Sequence, residues 1–271
     1  MIFRRRMRTV VVLGAGPAGL LAAHAASKQG YEVYVLTAPG PSGQPRKSQL
    51  YGCQYLHAAI PGITEGDGTP VSYVLDGSPE DYRYKVYGGG WQGRVSPDEF
   101  GPEEPHLAWD LRAAYDALWQ SWLPLIKPAL LNASNVEQLF VDRSCIVLST
   151  IPANVICRNP QHAFDTQMVW AMGSAPGNAL PYVASPNTVW CNAHEAPRWY
   201  RAATVFGHST LEWPQGVKPP VAGVVRVEKP LKTDCDCRTS SGRWHRLGRY
   251  GKWQKGVLVH TAYSDALEVL R

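Results

Sequence analysis

The strongest chemical signal in the chain is a set of spaced glycines, Gly14, Gly16 and Gly19, in the run Val10-Val11-Val12-Leu13-Gly14-Ala15-Gly16-Pro17-Ala18-Gly19. Glycine at the first position permits a tight turn, at the second it lets backbone approach a pyrophosphate, and at the third it lets a helix close onto a strand. Pro17 suits a first helical turn, where no backbone N–H is missed. The amides of that turn, those of Ala15 and Ala18 among them, lie at the positive end of a helix dipole and form an anion site without any basic side chain. The chemistry these residues point to is capture of a dinucleotide.

The flanking sequence supplies the elements that such a turn needs. Residues 10–13 read as a buried strand, a small-residue helix runs to about Gln29, and residues 31–36 read as a second strand. Together they make a βαβ unit of the expected ~30 residues. At the end of the second strand, where an acid usually holds the adenosine ribose, stands Thr37. Thr37 leaves the cofactor open, because Arg46 and Lys47 follow and could recognise the ribose phosphate of a nicotinamide cofactor, although Pro39, Pro41 and Pro45 intervene.

Three further stretches carry side chains with chemical potential. Leu50-Tyr51-Gly52-Cys53-Gln54-Tyr55-Leu56-His57 reads as a glycine turn and short strand that deliver Gln54 and His57 to one place. His57 there is either a site residue or a core imidazole with a structural hydrogen bond. Residues 82–87 alternate, which predicts a β segment with Arg83, Lys85 and Tyr87 on one face and Tyr82, Tyr84 and Val86 on the other. Gly248-Arg249, then Gly256-Val257-Leu258 ahead of a terminal helix from about Thr261, place a glycine-bordered arginine beside another helix start, again a place for an anion. Cys235-Asp236-Cys237 with His245 resembles half of a metal site, and without a second cysteine pair the expectation is that no metal binds.

The other elements frame these. An amphipathic helix is predicted over 109–123, with Leu111, Tyr115, Leu118, Trp119 and Trp122 forming a core stripe. Strands are predicted over 71–75, 145–148, 167–172, 203–206 and 222–227, the last closed by Lys229-Pro230, and the stretch between 172 and 203 reads as loop-rich. No apolar run approaches the ~20 residues that span a bilayer, so no membrane partner is expected. Six scattered cysteines without a secretory leader fit reduced thiols in a cytoplasm. A net charge of +5 with ten tryptophans and thirteen tyrosines fits an aromatic-rich core and pocket, or a basic aromatic surface on which nucleic-acid bases stack.

Taken together, Gly14, Gly16 and Gly19, the middle segment Thr150-Ile151-Pro152 and the late Gly248-Arg249 resemble the FAD enzymes of the amine-oxidase and UDP-galactopyranose-mutase type. The resemblance implies an α/β fold: a Rossmann-like FAD-binding domain of residues 8–58, 136–158 and 234–271, with an inserted mixed substrate domain of residues 59–135 and 159–233. It implies that Arg249 bonds the pyrophosphate, that the amides around 256–259 lie at the flavin's pyrimidine end, and that Gln54 and His57 lie beside the flavin. Tyr200, Arg201 and Glu212 resemble the substrate half of the mutases. Thr37 is the departure from the pattern. A single glycine fingerprint leaves oxygen as the electron acceptor, or a flavin that cycles without net redox. His57, His208, Lys255 and His260 are the candidates for a base that deprotonates an amine substrate. The compact, tryptophan-rich chain is similar to phage flavoenzymes that cleave an amino-acid adduct such as glycyl-thymidine on hypermodified DNA, which would place it in a host cytoplasm. In that reading Arg83, Lys85, Trp91, Arg94, Trp199 and Arg201 contact the nucleic acid. The alternatives are a mutase-like flavoenzyme, a flavin-binding protein without catalysis, and an NADP-linked reductase.

Overall fold

A computed structural model describes residues 8–89, 105–136, 145–173, 175–176, 185–237 and 242–271. Trp91 and Arg94 lie outside the described residues. In chain order the elements are β1 Thr9–Leu13, α1 Pro17–Lys28, β2 Glu32–Thr37, β3 Thr69–Asp76, α2 Pro79–Tyr87, β4 His106–Ala108, α3 Leu111–Trp122, β5 Ile126–Pro128, β6 Ile146–Ser149 and α4 Ala153–Ile156. They continue with β7 Phe164–Met172, β8 Ala175–Pro176, β9 Thr188–Asn192, β10 Arg201–Val205, β11 His208–Pro214, β12 Val224–Thr233, β13 Trp244–Arg246, α5 Gly248–Lys252 and α6 Thr261–Val269. Among the described residues, no helix is long and apolar enough to cross a membrane.

The chain divides into two compact units. The first comprises Met1–Ser48, Ala113–Asp165 and Pro230–Arg271. Its parallel sheet has the order β13-β6-β1-β2-β5. β1 runs between β2, with Val10 opposite Val33, and β6, with Val11 opposite Val147. β1 is the central strand of the five, and Val10, Val12 and Leu13 are wholly inaccessible while Val11 is half-buried. The chain leaves β1 toward β2 and later returns to β6 on the other side. The topological switch point, where open α/β sheets bind ligands at the carboxyl ends of their strands, therefore lies between β1 and β6. α1 buries Gly19, Leu20, Leu21, Ala22, Ala23, Ala25 and Ala26, and such small side chains let its axis come close to the sheet. α6 lies alongside, with the Tyr263 ring 6.0 Å from that of His24 and Leu270 O accepting from Tyr31 Oη at 3.0 Å.

The second unit comprises Gln49–Arg112 and Thr166–Lys229. Its mixed sheet has the order β12-β7-β11-β10-β9-β3-β4, with β8 paired to β11. β3 runs parallel to β9, whereas β9, β10 and β11 form an antiparallel meander. Val71, Val169, Val189, Tyr200 and Ala203 are the centre of its core.

Several sequence expectations change. Residues 79–87 form α2 where a strand is predicted. Ser78 caps the helix by accepting from Asp81 N at 3.1 Å, Pro79 takes the first turn, and Glu80 and Asp81 stand at the positive end of the dipole. Those start signals outweigh a short polar–aromatic alternation, so Lys85 does not share a face with Arg83 and Tyr87. Residues 52–57 form no strand and are held by isolated bridges of Tyr51 with Gly173 and Leu56 with Trp109. β12 continues through Pro230 to Thr233, which a strand at the sheet's edge tolerates because no ladder donor is needed there. β9 and β11 occupy stretches not predicted as strands. Residues 49–58 fall in the second unit and 113–135 in the first, the reverse of the sequence-derived boundaries; β5 joins the first unit by pairing in parallel with β2.

Candidate functional site

In the first unit three segments meet at the switch point. Gly14 has φ +99° and leaves β1 in a turn whose amide donates to Leu36 O at 2.7 Å. A Cβ on Gly14 would lie 2.6 Å from Thr150 Oγ1, and one on Gly19 only 1.8 Å from Gly14 O, so helix, turn and middle segment leave no room for a methyl. Thr150 fastens the same turn: its amide and its Oγ1 donate to Leu13 O at 2.8 and 2.9 Å. From the C-terminal side, Leu247 N donates to Ser149 O at 2.8 Å. A Cβ on Gly248 would meet the Cβ of Ala18 at 2.8 Å, and one on Gly251 would meet Ser149 O at 2.4 Å.

Gly16 differs from these. It is the N-cap of α1 in extended conformation, φ −71° and ψ 176°, and no side chain caps the helix there. A Cβ on Gly16 would meet only Ser48 Oγ, at an ordinary 3.5 Å. The protein's own packing therefore does not require glycine at 16, whereas it does at 14 and 19. The first-turn amides of Ala18 and Gly19 have no intrahelical partner by geometry, and no acidic side chain stands in that turn. Tyr115 on α3 completes the loop: its Oη donates to Ala15 O at 2.8 Å and accepts from Ser48 N at 3.0 Å. In the sequence Tyr115 is one member of a core stripe, and nothing there marks its hydroxyl for this contact.

The remaining first-unit candidates are placed less tightly. Thr37 is buried at the carboxyl end of β2, and its carbonyl accepts from Ala129 N at 2.7 Å. Arg249 donates from Nε and Nη2 to Pro230 O at 3.3 and 3.0 Å, where the resemblance assigns it to the pyrophosphate. Gly256, with φ +82°, Val257 and Leu258 form the exposed to half-buried turn before α6. Lys255 N donates to Leu231 O. His260 starts α6, and burial lowers the pKa of its imidazole, so the neutral form dominates at pH 7. Lys47 pairs with Asp116 and lies over the Tyr115 ring.

In the second unit the structure brings Tyr200, Arg201 and Glu212 together, as the sequence grouped them. Glu212 is 2% exposed. Its Oε2 accepts from Tyr200 Oη and Lys229 Nζ, and its Oε1 faces Arg201 Nη1 at 3.7 Å and Cys53 N at 3.4 Å. Burial alone would raise this carboxyl, but Lys229 and Arg201 outweigh it and hold the pKa near 2. A carboxylate so low and so fully engaged is a fixed negative charge and not a proton carrier at neutral pH. Gly52, φ +72°, makes room for it, since a Cβ there would lie 2.4 Å from Glu212 Oε1. Lys229 is absent from the sequence-derived site, which held Gly52 and Cys53 only as the start of the segment leading to His57; the sheet and that loop together bring these partners to one carboxylate.

His57 also sits in a cluster. Its ring stacks on His106 at 5.1 Å and lies 4.6 Å from Tyr55. Tyr55 Oη hydrogen-bonds Tyr73 Oη and lies 3.0 Å from His106 Nε2. Burial lowers the pKa of His106. Gln54, by contrast, closes its own turn by donating to Tyr51 O at 2.7 Å. Lys85 Nζ donates to the carbonyls of His194 and Pro197, the second at 2.8 Å, and burial lowers its pKa to about 8. Trp199, just before β10, is buried against Met172, Ala202, Leu211 and Trp213 and belongs to a different core cluster from Tyr200. Arg83 and Tyr87 are half-buried on α2, and His208 begins β11 opposite Val205.

A family model described as an NAD(P)-binding Rossmann-like domain matches residues 12–60. No curated protein sequence matches the chain. Among solved structures, the fold is similar to a reduced UDP-galactopyranose mutase, with a TM-score of 0.51, 13% identity, and 97% of this chain and 93% of that one covered. It is also similar to Klebsiella pneumoniae HpxO complexed with FAD and uric acid, with a TM-score of 0.54, 14% identity, and coverage of 98% and 79%. The tetrameric 2-methyl-3-hydroxypyridine-5-carboxylic acid oxygenase gives 0.50, 13%, 96% and 86%. The chain thus has the Rossmann-like α/β fold of these proteins.

Proposed function

We propose that this chain is an FAD-dependent oxidoreductase that binds its cofactor at the carboxyl ends of β1 and β6 and oxidises an amine or an amino-acid adduct. The observation that carries the cofactor reading is Gly16, a glycine whose missing side chain the protein does not fill. Backbone left bare at a helix start, with unpaired amides around it, is what a pyrophosphate's close approach demands. In this reading the amides of Ala15, Gly16, Ala18 and Gly19 hold the pyrophosphate, and Thr150, Gly248 and Gly251 keep the surrounding backbone closed. FAD is preferred over a nicotinamide because the named neighbours spanning nearly the whole chain include an FAD complex.

When bound, FAD supplies an acceptor for two electrons, which oxygen can take in turn. The chain's part is to bind, orient and deprotonate. The candidates for that base are His57, Lys255 and His260; burial lowers the pKa of His260, so its imidazole is neutral at pH 7.

As the finer reading, the substrate is a glycyl adduct of thymidine in DNA. Hydride leaves the glycyl Cα, water hydrolyses the resulting imine, and an aminomethyl base and an aldehyde acid remain. A net charge of +5 and the half-buried Arg83 favour a polyanion, and an extruded base would be required. The test is a visible spectrum of the purified protein, followed by anaerobic addition of glycine, a nucleotide sugar, or glycyl-thymidine DNA. A flavin spectrum that bleaches only with the DNA supports both levels. A flavin spectrum that bleaches with none of the three removes the substrate reading, and a colourless protein that takes up no FAD removes the cofactor reading.

A further inference from the structure

Away from the glycine turn, four ligating side chains converge from two segments of the first unit. Cys157 and His162 follow α4; Cys235 and Cys237 follow β12. Their ligand atoms all lie within 4.8 Å of one another. Cys157 Sγ is 3.5 Å from Cys235 Sγ, 3.8 Å from Cys237 Sγ and 3.2 Å from His162 Nδ1, and Cys237 Sγ is 3.5 Å from His162 Nδ1. Tetrahedral zinc with Zn–S of about 2.3 Å and Zn–N of about 2.0–2.1 Å requires S···S edges of about 3.8 Å and S···N edges of about 3.5 Å. Four of the six edges agree with those values to within about 0.4 Å, and the other two are no longer than 4.8 Å.

The surroundings are built for a negatively charged centre. Arg246 donates from Nη2 to Cys235 Sγ at 3.1 Å and to Cys237 O at 2.8 Å, and from Nη1 to Cys235 O at 2.7 Å. Three thiolates, one imidazole and a dication sum to one negative charge, which this guanidinium offsets. The two segments are also fastened to each other without any ion. Thr233 Oγ1 donates to Ala163 O at 2.7 Å and accepts from Cys235 N at 3.0 Å, while Asp234 Oδ1 accepts from Ala163 N at 2.8 Å.

We propose that Cys157, His162, Cys235 and Cys237 bind one structural Zn²⁺. Four protein ligands leave no open position, so the centre is a clip and not a catalyst. It would join the loop after α4 to the loop after β12, directly before β13, the strand that pairs with β6 and leads to Gly248. This replaces the sequence expectation of no metal, which paired Cys235 and Cys237 with His245. The missing ligands stand 78 and 75 positions away along the chain, at Cys157 from Cys235 and at His162 from Cys237.

The test uses the full chain expressed with added zinc and purified under reducing, chelator-free conditions. Elemental analysis and native mass spectrometry should find one zinc per chain, and exchange with Co²⁺ should produce the visible bands of tetrahedral cobalt thiolate, to the red of any flavin absorbance. His162→Ala should lower zinc retention at least about tenfold, whereas His245→Ala should retain it. Should His162→Ala fail to fold, the wild-type zinc content and cobalt spectrum decide. A reduced wild-type chain with no zinc above the buffer blank and no cobalt bands, a disulfide joining two of these cysteines in the freshly purified protein, or equal zinc retention by both histidine variants overturns the proposal.

Discussion

Gly16→Ala and Gly19→Ala should separate cofactor binding from folding, although the two residues belong to one sequence motif. At position 19 a methyl would sit 1.8 Å from Gly14 O, where real Cβ contacts stop near 3.0 Å, so α1 must withdraw by their difference, 1.2 Å. α1 has seven buried residues in the first unit, and none can follow such a shift without opening gaps. The cost should reach or exceed the upper end of the ~1–3 kcal/mol that overpacking carries. At position 16 the backbone already suits alanine and the new methyl touches only Ser48 Oγ at 3.5 Å. Exchanging glycine for alanine at an N-cap should cost less than about 1 kcal/mol. FAD affinity, however, should fall at least tenfold, about 1.4 kcal/mol, because the methyl occupies the approach to the helix amides. Urea unfolding of the flavin-free proteins measures the first quantity, and titration of apoprotein by flavin fluorescence measures the second. The reasoning is refuted if Gly16→Ala binds FAD as the wild type does, or if Gly19→Ala is as stable as Gly16→Ala.

Other outcomes follow from the same structure. Gly52→Ala should be less stable than Gly66→Ala by about 1–3 kcal/mol in urea melts: both glycines have positive φ, +72° and +71°, but only at 52 does the methyl meet Glu212. Glu212→Gln leaves the half-buried Lys229 and Arg201 without their counter-charge and should cost up to about 3 kcal/mol, the lower end of the range for a fully buried pair. Because the folded Glu212 carboxyl is depressed to about 2 from 4.5, its stabilisation is complete above pH 4.5 and is lost as pH falls toward 2. Unfolding midpoints of the wild type should therefore drop through that window, and those of Glu212→Gln should drop less. Ser78→Ala removes the cap of α2 and should cost about 1 kcal/mol, read as a lower urea midpoint.

Local physics carried much of the fold in the sequence itself. The spacing of Gly14, Gly16 and Gly19 between an apolar strand and a small-residue helix specifies a βαβ turn, because each glycine answers a constraint within one supersecondary unit. α1, β1, β2, α3 and α6 were legible for that reason. Residues 79–87 show the limit: alternation favours a strand, and the stronger local statement, Ser78-Pro79-Glu80-Asp81 as a capped helix start, wins. The separate roles of Gly16 and Gly19 were legible in their spacing, but the atoms that impose them, Gly14 O 1.8 Å from a Cβ at 19 and Ser48 Oγ at 3.5 Å from one at 16, are known only from the fold. The partners of Glu212 come from β10, β12 and the loop at Cys53, and its charge state is decided by cations that only sheet register brings within reach. Likewise Cys235 and Cys237 look like half a metal site until the fold returns Cys157 and His162 to them. Contacts within one element or turn are written in neighbouring residues, whereas groups of charges and ligands drawn from distant segments exist only once the chain has closed those loops.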